Sequence, residues 1–277
     1  MFKKYKFFDY VFFIYNVIFI GFSFFQNDYY KYLILHISCV VFQYILISKV
    51  NEKKHNFITL IRFSYPLLST IFLYQELNNF ITIFSDKFYD DLLAKIDRTI
   101  TGVDISLYFG EFNLKIMNEI FHFSYLSYFF YLVFLPIYFF YKRKDVILNY
   151  INSATLSFYF SYLIFLFIPA TGPRYYFFND GKTYLVGYNI TNFVKNMVYN
   201  GGLYGGAFPS THCAITFVGL YYLVKNQNKW MYLWSIPVFM LFLATVWCRF
   251  HFLIDSIAGI LIAFIIIKLL EFFKVNK

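Results

Sequence analysis

Charge is what this sequence has least of. Only 14% of its 277 residues are Asp, Glu, Lys or Arg, against about 25% in a soluble globular domain. Hydrophobic residues make up 60%, and the mean hydropathy is +0.56. A water-soluble fold of this composition would expose apolar surface that aggregates. A disordered chain needs the opposite composition, poor in apolar residues and rich in charge. Cysteine is scarce as well. Cys39, Cys213 and Cys248 are an odd number at wide spacing, which excludes a disulfide framework and a metal pattern. They read as small buried apolar residues. Acids are the rarer sign, 15 against 24 Lys and Arg, for a net charge of +9. The chain is nonetheless too apolar for an ordinary DNA-binding domain. What is abundant is aromatic: 41 Phe and 28 Tyr, suited to lipid-facing surfaces and the headgroup zone. A polytopic membrane protein remains.

A membrane helix needs roughly 20 mostly apolar residues. Eight segments qualify: 10–25, 32–48, 57–74, 121–141, 150–168, 208–225, 230–247 and 253–271. The basic start MFKKYKFFDY is followed by an apolar run but by no small-residue cleavage site. It reads as a retained first helix rather than a signal peptide. Residues 75–120 and 169–207 and the junction at 248–252 are not spans.

Orientation follows from charge. With Arg62 counted as a snorkelling residue, the side holding the N-terminus carries 15 Lys and Arg and 4 acids; the opposite side carries 9 and 11. Positive charge stays cytoplasmic, so both termini are expected in the cytoplasm. The excess of positive charge is then a topology signal, and no nucleic-acid partner is expected. Trp230 and Trp234 at one interface and Trp247 at the other fit an aromatic belt. Between the third and fourth spans, Phe88, Leu92, Leu93, Ile96, Ile100 and Val103 recur at helical spacing. This predicts an extracytoplasmic helix over 86–109 in the membrane interface, broken at Gly102; an ordinary packed helix is the alternative.

Chemistry concentrates in three places. The run GGLYGGAFPSTHC places Gly205 and Gly206 before Pro209, Ser210 and His212 at the start of an apolar helix. Glycines let a backbone approach a ligand, serine can cap, and a helix N-terminus attracts anions. The second is CRFHFLID, where His251 and Asp255 stand four residues apart, one turn on a helix. A carboxylate there fixes the tautomer of the imidazole and raises its basicity. An ionisable residue in a span is a functional candidate; a structural hydrogen bond between helices is the alternative. The third is IPATGPR, whose Arg174 can bind a phosphate in bidentate fashion or serve only as an interfacial anchor. The charge-derived topology puts Arg174, His212 and His251 at the outer ends of three different helices. Arg174, Arg249, Ser210, His212, His251 and Asp255 then share one membrane face, as phosphoryl transfer requires. No carboxylate cluster or Cys/His spacing indicates a metal, and no cofactor is expected.

PSTH followed about forty residues later by HFLID, with GPR before both, resembles the type 2 phosphatidic acid phosphatase superfamily. LLAKIDRTITGVD, with the helix beginning near HFSYLSY, resembles more narrowly its inositol phosphorylceramide synthase (inositolphosphotransferase) branch. The resemblance spans roughly residues 57–270. It implies a six-helix core and a covalent phosphohistidine. His251 would be the nucleophile, Asp255 its orienting carboxylate and His212 the acid–base; Arg174, Ser210 and amides of the glycine loop would hold phosphate. Two cations usual in the superfamily are replaced here by Phe167 and Thr245. Arg249 or Lys182 is a candidate substitute.

The expected protein is therefore an all-α polytopic membrane helix bundle. Residues 1–56 form a two-span addition, and residues 57–277 a phosphatase or phosphotransferase domain with a six-helix core, about eight spans in all. Its substrate would be a membrane phospholipid, and the acceptor either a hydroxylated lipid or water. A lipid phosphate phosphatase acting on phosphatidate or a polyprenyl phosphate is the alternative within the class. A lipid transporter is the distant one, for which the usual repeats and helices broken at mid-membrane are not seen; a purely structural membrane protein would leave the three motifs unexplained. The Phe/Tyr/Ile/Asn/Lys bias suggests an AT-rich bacterial genome, and so an inner-membrane enzyme whose site faces the periplasm.

Overall fold

Helix follows apolar length along this chain. The computed structural model describes residues 5–54, 56–226 and 231–275, less the side chains of Met231, Tyr232 and Trp234. Its helices are α1 (Phe7–Ser23), α2 (Tyr29–Lys49), α3 (Phe57–Glu76), α4 (Asp90–Thr101), α5 (Ile105–Phe112), α6 (Lys115–Lys142), α7 (Ile147–Phe167), α8 (Pro173–Tyr176), α9 (Asn189–Gly201), α10 (Thr211–Lys225), α11 (Met231–Trp247) and α12 (Leu253–Phe272). No strand occurs among the described residues. Each of the eight predicted segments overlaps one of these helices. Among the described residues, five helices are long and apolar enough to cross a membrane: α2, α3 with its extension to Asn79, α6, α7 and α12. Helix α1 and residues 235–247 of α11 are apolar but shorter. Exposed Ile34, Val41 and Ile45 on α2 and Ile236 and Phe239 on α11 fit a membrane protein, because in water such surface would drive association.

Helix α10 is the central element, packed against α6, α7, α11 and α12. Its approach to α12 is set by Gly259, where a Cβ would collide with the Ser210 carbonyl oxygen. The N-terminal helices join the same core. Phe8, Phe12 and Phe19 are fully buried, and Tyr15 packs on Tyr159 of α7 at 4.4 Å. Arg62 does not snorkel. It is fully buried, with two bonds to Asp9 of α1 at 2.8 and 2.6 Å. Arg62 also lies 3.4 Å from Glu52, so it is truncation of Arg62 that would leave the buried Asp9 carboxylate without its cation, a loss that typically costs about 3–5 kcal/mol.

Other expectations change. The helix expected over 86–109 breaks at Gly102, as its sequence indicated, into α4 and α5, but it begins later, at Asp90, where the Tyr89 N–H bonds the Pro169 carbonyl at 2.9 Å. Its apolar residues divide between faces: Leu93 points inward, while Leu92, Ile100 and Val103 are exposed. Trp247 is no belt residue. It is buried, stacks on Phe121 at 4.4 Å and donates to Asn118 Oδ1 at 2.9 Å. Trp230, the Trp234 side chain and four of the lysines in the charge comparison (Lys3, Lys4, Lys229 and Lys277) lie outside the described residues.

Candidate active site

Three connections meet where α3, α7 and α11 end and α10 and α12 begin. The loop after α7 forms an isolated parallel bridge, Ala170 with Gly206. Ala170 N–H donates to the Gly205 carbonyl at 3.0 Å, and Ala207 N–H to the Ala170 carbonyl at 2.9 Å. Arg174 N–H reaches the Arg249 carbonyl at 3.1 Å, and Ser210 N–H the Asp255 carbonyl at 2.9 Å. Gly172 permits the crossing: its φ is +84°, and a Cβ would sit 2.7 Å from the Phe250 carbonyl oxygen. Backbone bonds thus lock the three motifs together.

They enclose a cavity of about 300 Å³ lined by Arg174, Gly206, His212 and His251. The His212 and His251 ring centroids are 5.7 Å apart. Both imidazoles line the same cavity, so one phosphate group can contact both. His212 is held between Tyr125 at 4.6 Å and Tyr128 at 4.3 Å, and its Nδ1 has no hydrogen-bond partner. Arg174 is buried, donates to the Val198 carbonyl at 2.9 Å and lies over the Tyr175 ring. Beyond this polar end the lining turns apolar and aromatic between α3 and α6, with Ile71, Phe129 and Leu132.

His251 is not on the helix with Asp255. Helix α11 stops at Trp247, Arg249 has φ +63°, and the N–H groups of Phe250 and His251 both bond the Thr245 carbonyl. His251 therefore precedes α12, whose first turn carries Asp255. The imidazole Nδ1 lies 2.9 Å from the Ala207 carbonyl and 3.5 Å from Asp255 Oδ2, which also accepts from Phe252 N–H at 2.8 Å. A carbonyl only accepts, so Nδ1 carries the proton and neutral His251 keeps a bare Nε2. Burial holds the His251 pKa down to about 4 against the Ala207 bond, and the Arg174 charge adds to the depression. An imidazole that must be neutral to act loses activity as pH falls through its pKa. The acid limb of kcat/KM is therefore expected near pH 4 rather than near 6.5, and Arg174→Ala should move it upward. A pH profile of the free-enzyme parameter checks both.

The remaining predicted residues divide. Ser210 is fully buried as the N-cap of α10, accepting from Cys213 N–H at 3.4 Å, and is not part of the cavity lining. Gly205 packs toward Ile81 and Phe88. Arg249 is turned away: its guanidinium bonds the Ser106 and Thr183 carbonyls and covers the Phe178 ring at 4.8 Å. Lys182 is 60% exposed beside Asp180. Neither replaces the missing cations at the cavity, where Arg174 is the one Lys or Arg among the described lining residues.

Sequence reasoning missed α9 and two aspartates. Ile190, Phe193, Val194, Met197 and Val198 keep helical spacing and could have revealed α9, which supplies the carbonyl that holds Arg174. Asp90 accepts from the N–H groups of Thr171 and Gly172 and from the Thr171 hydroxyl. Asp97 accepts from the N–H groups of Leu253 and Ile254. No local pattern marks these contacts, which cross about eighty and more than 150 positions.

The fold is an all-helical, apolar bundle in which two histidines, one of them buried, and a buried arginine line one cavity, a set of groups suited to phosphate chemistry. A family model of the PAP2 superfamily matches residues 102–269, and the chain belongs to that superfamily. Its members are generally phosphatases or phosphotransferases, so this is a phosphatase-type enzyme of lipid phosphates. No curated protein and no solved structure matches the chain.

Proposed function

We propose that the protein moves a phosphoryl or phospho-head-group from a membrane lipid to a hydroxyl, of a second lipid or of water, through a phosphohistidine and without a metal. The observation that carries this is the facing of His212 and His251 across the cavity that Arg174 enters. His251 Nε2 bonds to phosphorus as one P–O ester bond breaks, and His212 protonates the departing alcohol. The acceptor hydroxyl then gives its proton to His212 and attacks phosphorus, freeing His251. Asp255 orients the imidazole from the Nδ1 side, and amides of the Gly206 loop together with Arg174 hold the phosphate oxygens.

The single cavity arginine favours a phosphodiester donor. A phosphate monoester carries about −1.5 to −2 charge at pH 7, whereas a diester carries one. This supports head-group transfer, as in the inositolphosphotransferase-like branch, over a monoester phosphatase, which remains the second reading. Purified protein is offered diester phospholipids or phosphatidate and a polyprenyl phosphate, each with and without a hydroxylated acceptor lipid. Transfer from a diester supports the reading. Phosphate release from monoesters alone selects the phosphatase, and no turnover with any lipid defeats both.

Eight spans, cytoplasmic termini and a site facing the periplasm complete the reading, with the charge division as its support. A cysteine placed at Lys182 should label from outside, and one at either terminus should not. A terminus that labels from outside overturns this topology.

A further inference from the structure

Helix α4 lies beside the cavity without lining it, yet one face of it reaches two of the three motif segments. Asp90 and Asp97 are two turns apart and both buried. Asp90 Oδ1 accepts from Gly172 N–H at 2.8 Å and Thr171 N–H at 3.0 Å, two and three residues before Arg174. Asp97 accepts from Leu253 N–H at 2.7 Å and Ile254 N–H at 2.9 Å, directly after the His251 segment. These are the free amides of the first turn of α12, which a carboxylate satisfies and whose dipole it complements. Neither carboxylate lines the cavity.

We propose that Asp90 and Asp97 are positioning residues with separate effects, Asp90 setting the phosphate clamp through the Arg174 loop and Asp97 setting the nucleophile through the first turn of α12. The inference rests on the histidine mechanism above. A helix ruled by packing alone would need no charged groups here. Buried carboxylates are costly unless their lone pairs are filled, and these are filled by backbone groups of the motif segments. Because the two carboxylates bond different segments, and the bonds between those segments are made by other groups, loss of one carboxylate should displace its own segment most. Misplacement of a reacting group by about 1 Å can cost on the order of 100-fold in rate, while a displaced clamp weakens phosphate binding.

The test uses full-length protein in detergent, with bis(p-nitrophenyl) phosphate, a diester with a good leaving group, as substrate and inorganic phosphate as competitive inhibitor. Asp97→Asn, which keeps one acceptor and loses the charge, is expected to lower kcat by about 10- to 100-fold, with phosphate inhibition changed less than about threefold. Asp90→Asn is expected to raise KM and the phosphate inhibition constant together by about tenfold, one hydrogen-bonded charge contact's worth, with kcat near wild type. Asp97→Glu, which restores the carboxylate, should recover part of kcat. Equal losses of kcat and phosphate binding in both variants, or no effect in either, overturn the proposal. Should Asp97→Asn not accumulate as folded protein, Asp90→Asn decides alone by the same division. A parallel His251→Ala sample separates the two ideas: if it still turns over, the histidine mechanism has failed, whereas an inactive His251→Ala beside undivided aspartate effects removes only the role of α4.

Discussion

His251→Ala is expected to abolish turnover and any covalent phosphoenzyme, with every substrate. Its Nε2 is the bare nitrogen because Nδ1 donates to the Ala207 carbonyl, and no leaving group compensates for a missing nucleophile. His212→Ala should behave differently. Protonating a leaving group is worth roughly 10²–10⁴-fold, so the loss should be large on a lipid ester and much smaller on an aryl phosphate, whose phenolate departs unaided. Asp255→Asn should retain part of the activity, since the Ala207 carbonyl still holds the ring at 2.9 Å. Trapping radiolabelled phosphoenzyme with each variant reads the result. Rescue of His251→Ala by the aryl ester, with none for His212→Ala, would reverse the two roles.

Arg174→Ala is expected to lower kcat/KM by about 10²–10³-fold, the cost of removing one preorganised donor to a developing charge. The loss should be heavier for a monoester than for a diester, because the monoester leaves more charge uncompensated. Arg174→Lys keeps the charge but gives up the planar fork that reaches the Val198 carbonyl and stacks on Tyr175, and should recover only part of the activity. Steady-state kinetics on paired mono- and diester substrates check this. A change below threefold in Arg174→Ala would make the residue an interfacial anchor, and the diester preference would fall with it.

The helices were legible because apolar run length is a local property. Segment 150–168 reads as a span from its own residues, and α7 covers Ile147–Phe167. Local signals also located Ser210 as a cap, which the bond from Cys213 N–H bears out. They failed where a residue's surroundings come from distant segments. Arg249 stands two positions before His251, yet positive φ at that position turns its side chain toward Ser106 and Thr183. Arg62 reads as a snorkelling residue until Asp9, far away in sequence, is placed against it. The His251–Asp255 spacing suggested a shared helix face, but the chain only enters α12 after Phe252.

By itself the sequence determined an all-helical, apolar chain and the three motifs that mark its superfamily, because hydropathy and short-range spacing are written in consecutive residues. Tertiary structure alone decided which cation enters the cavity, which nitrogen of His251 is free, and that Asp90 and Asp97 fasten the motif loops. Those outcomes depend on backbone carbonyls and amides of remote segments. Every residue carries such groups whatever its side chain, so only the folded path of the chain shows which ones meet.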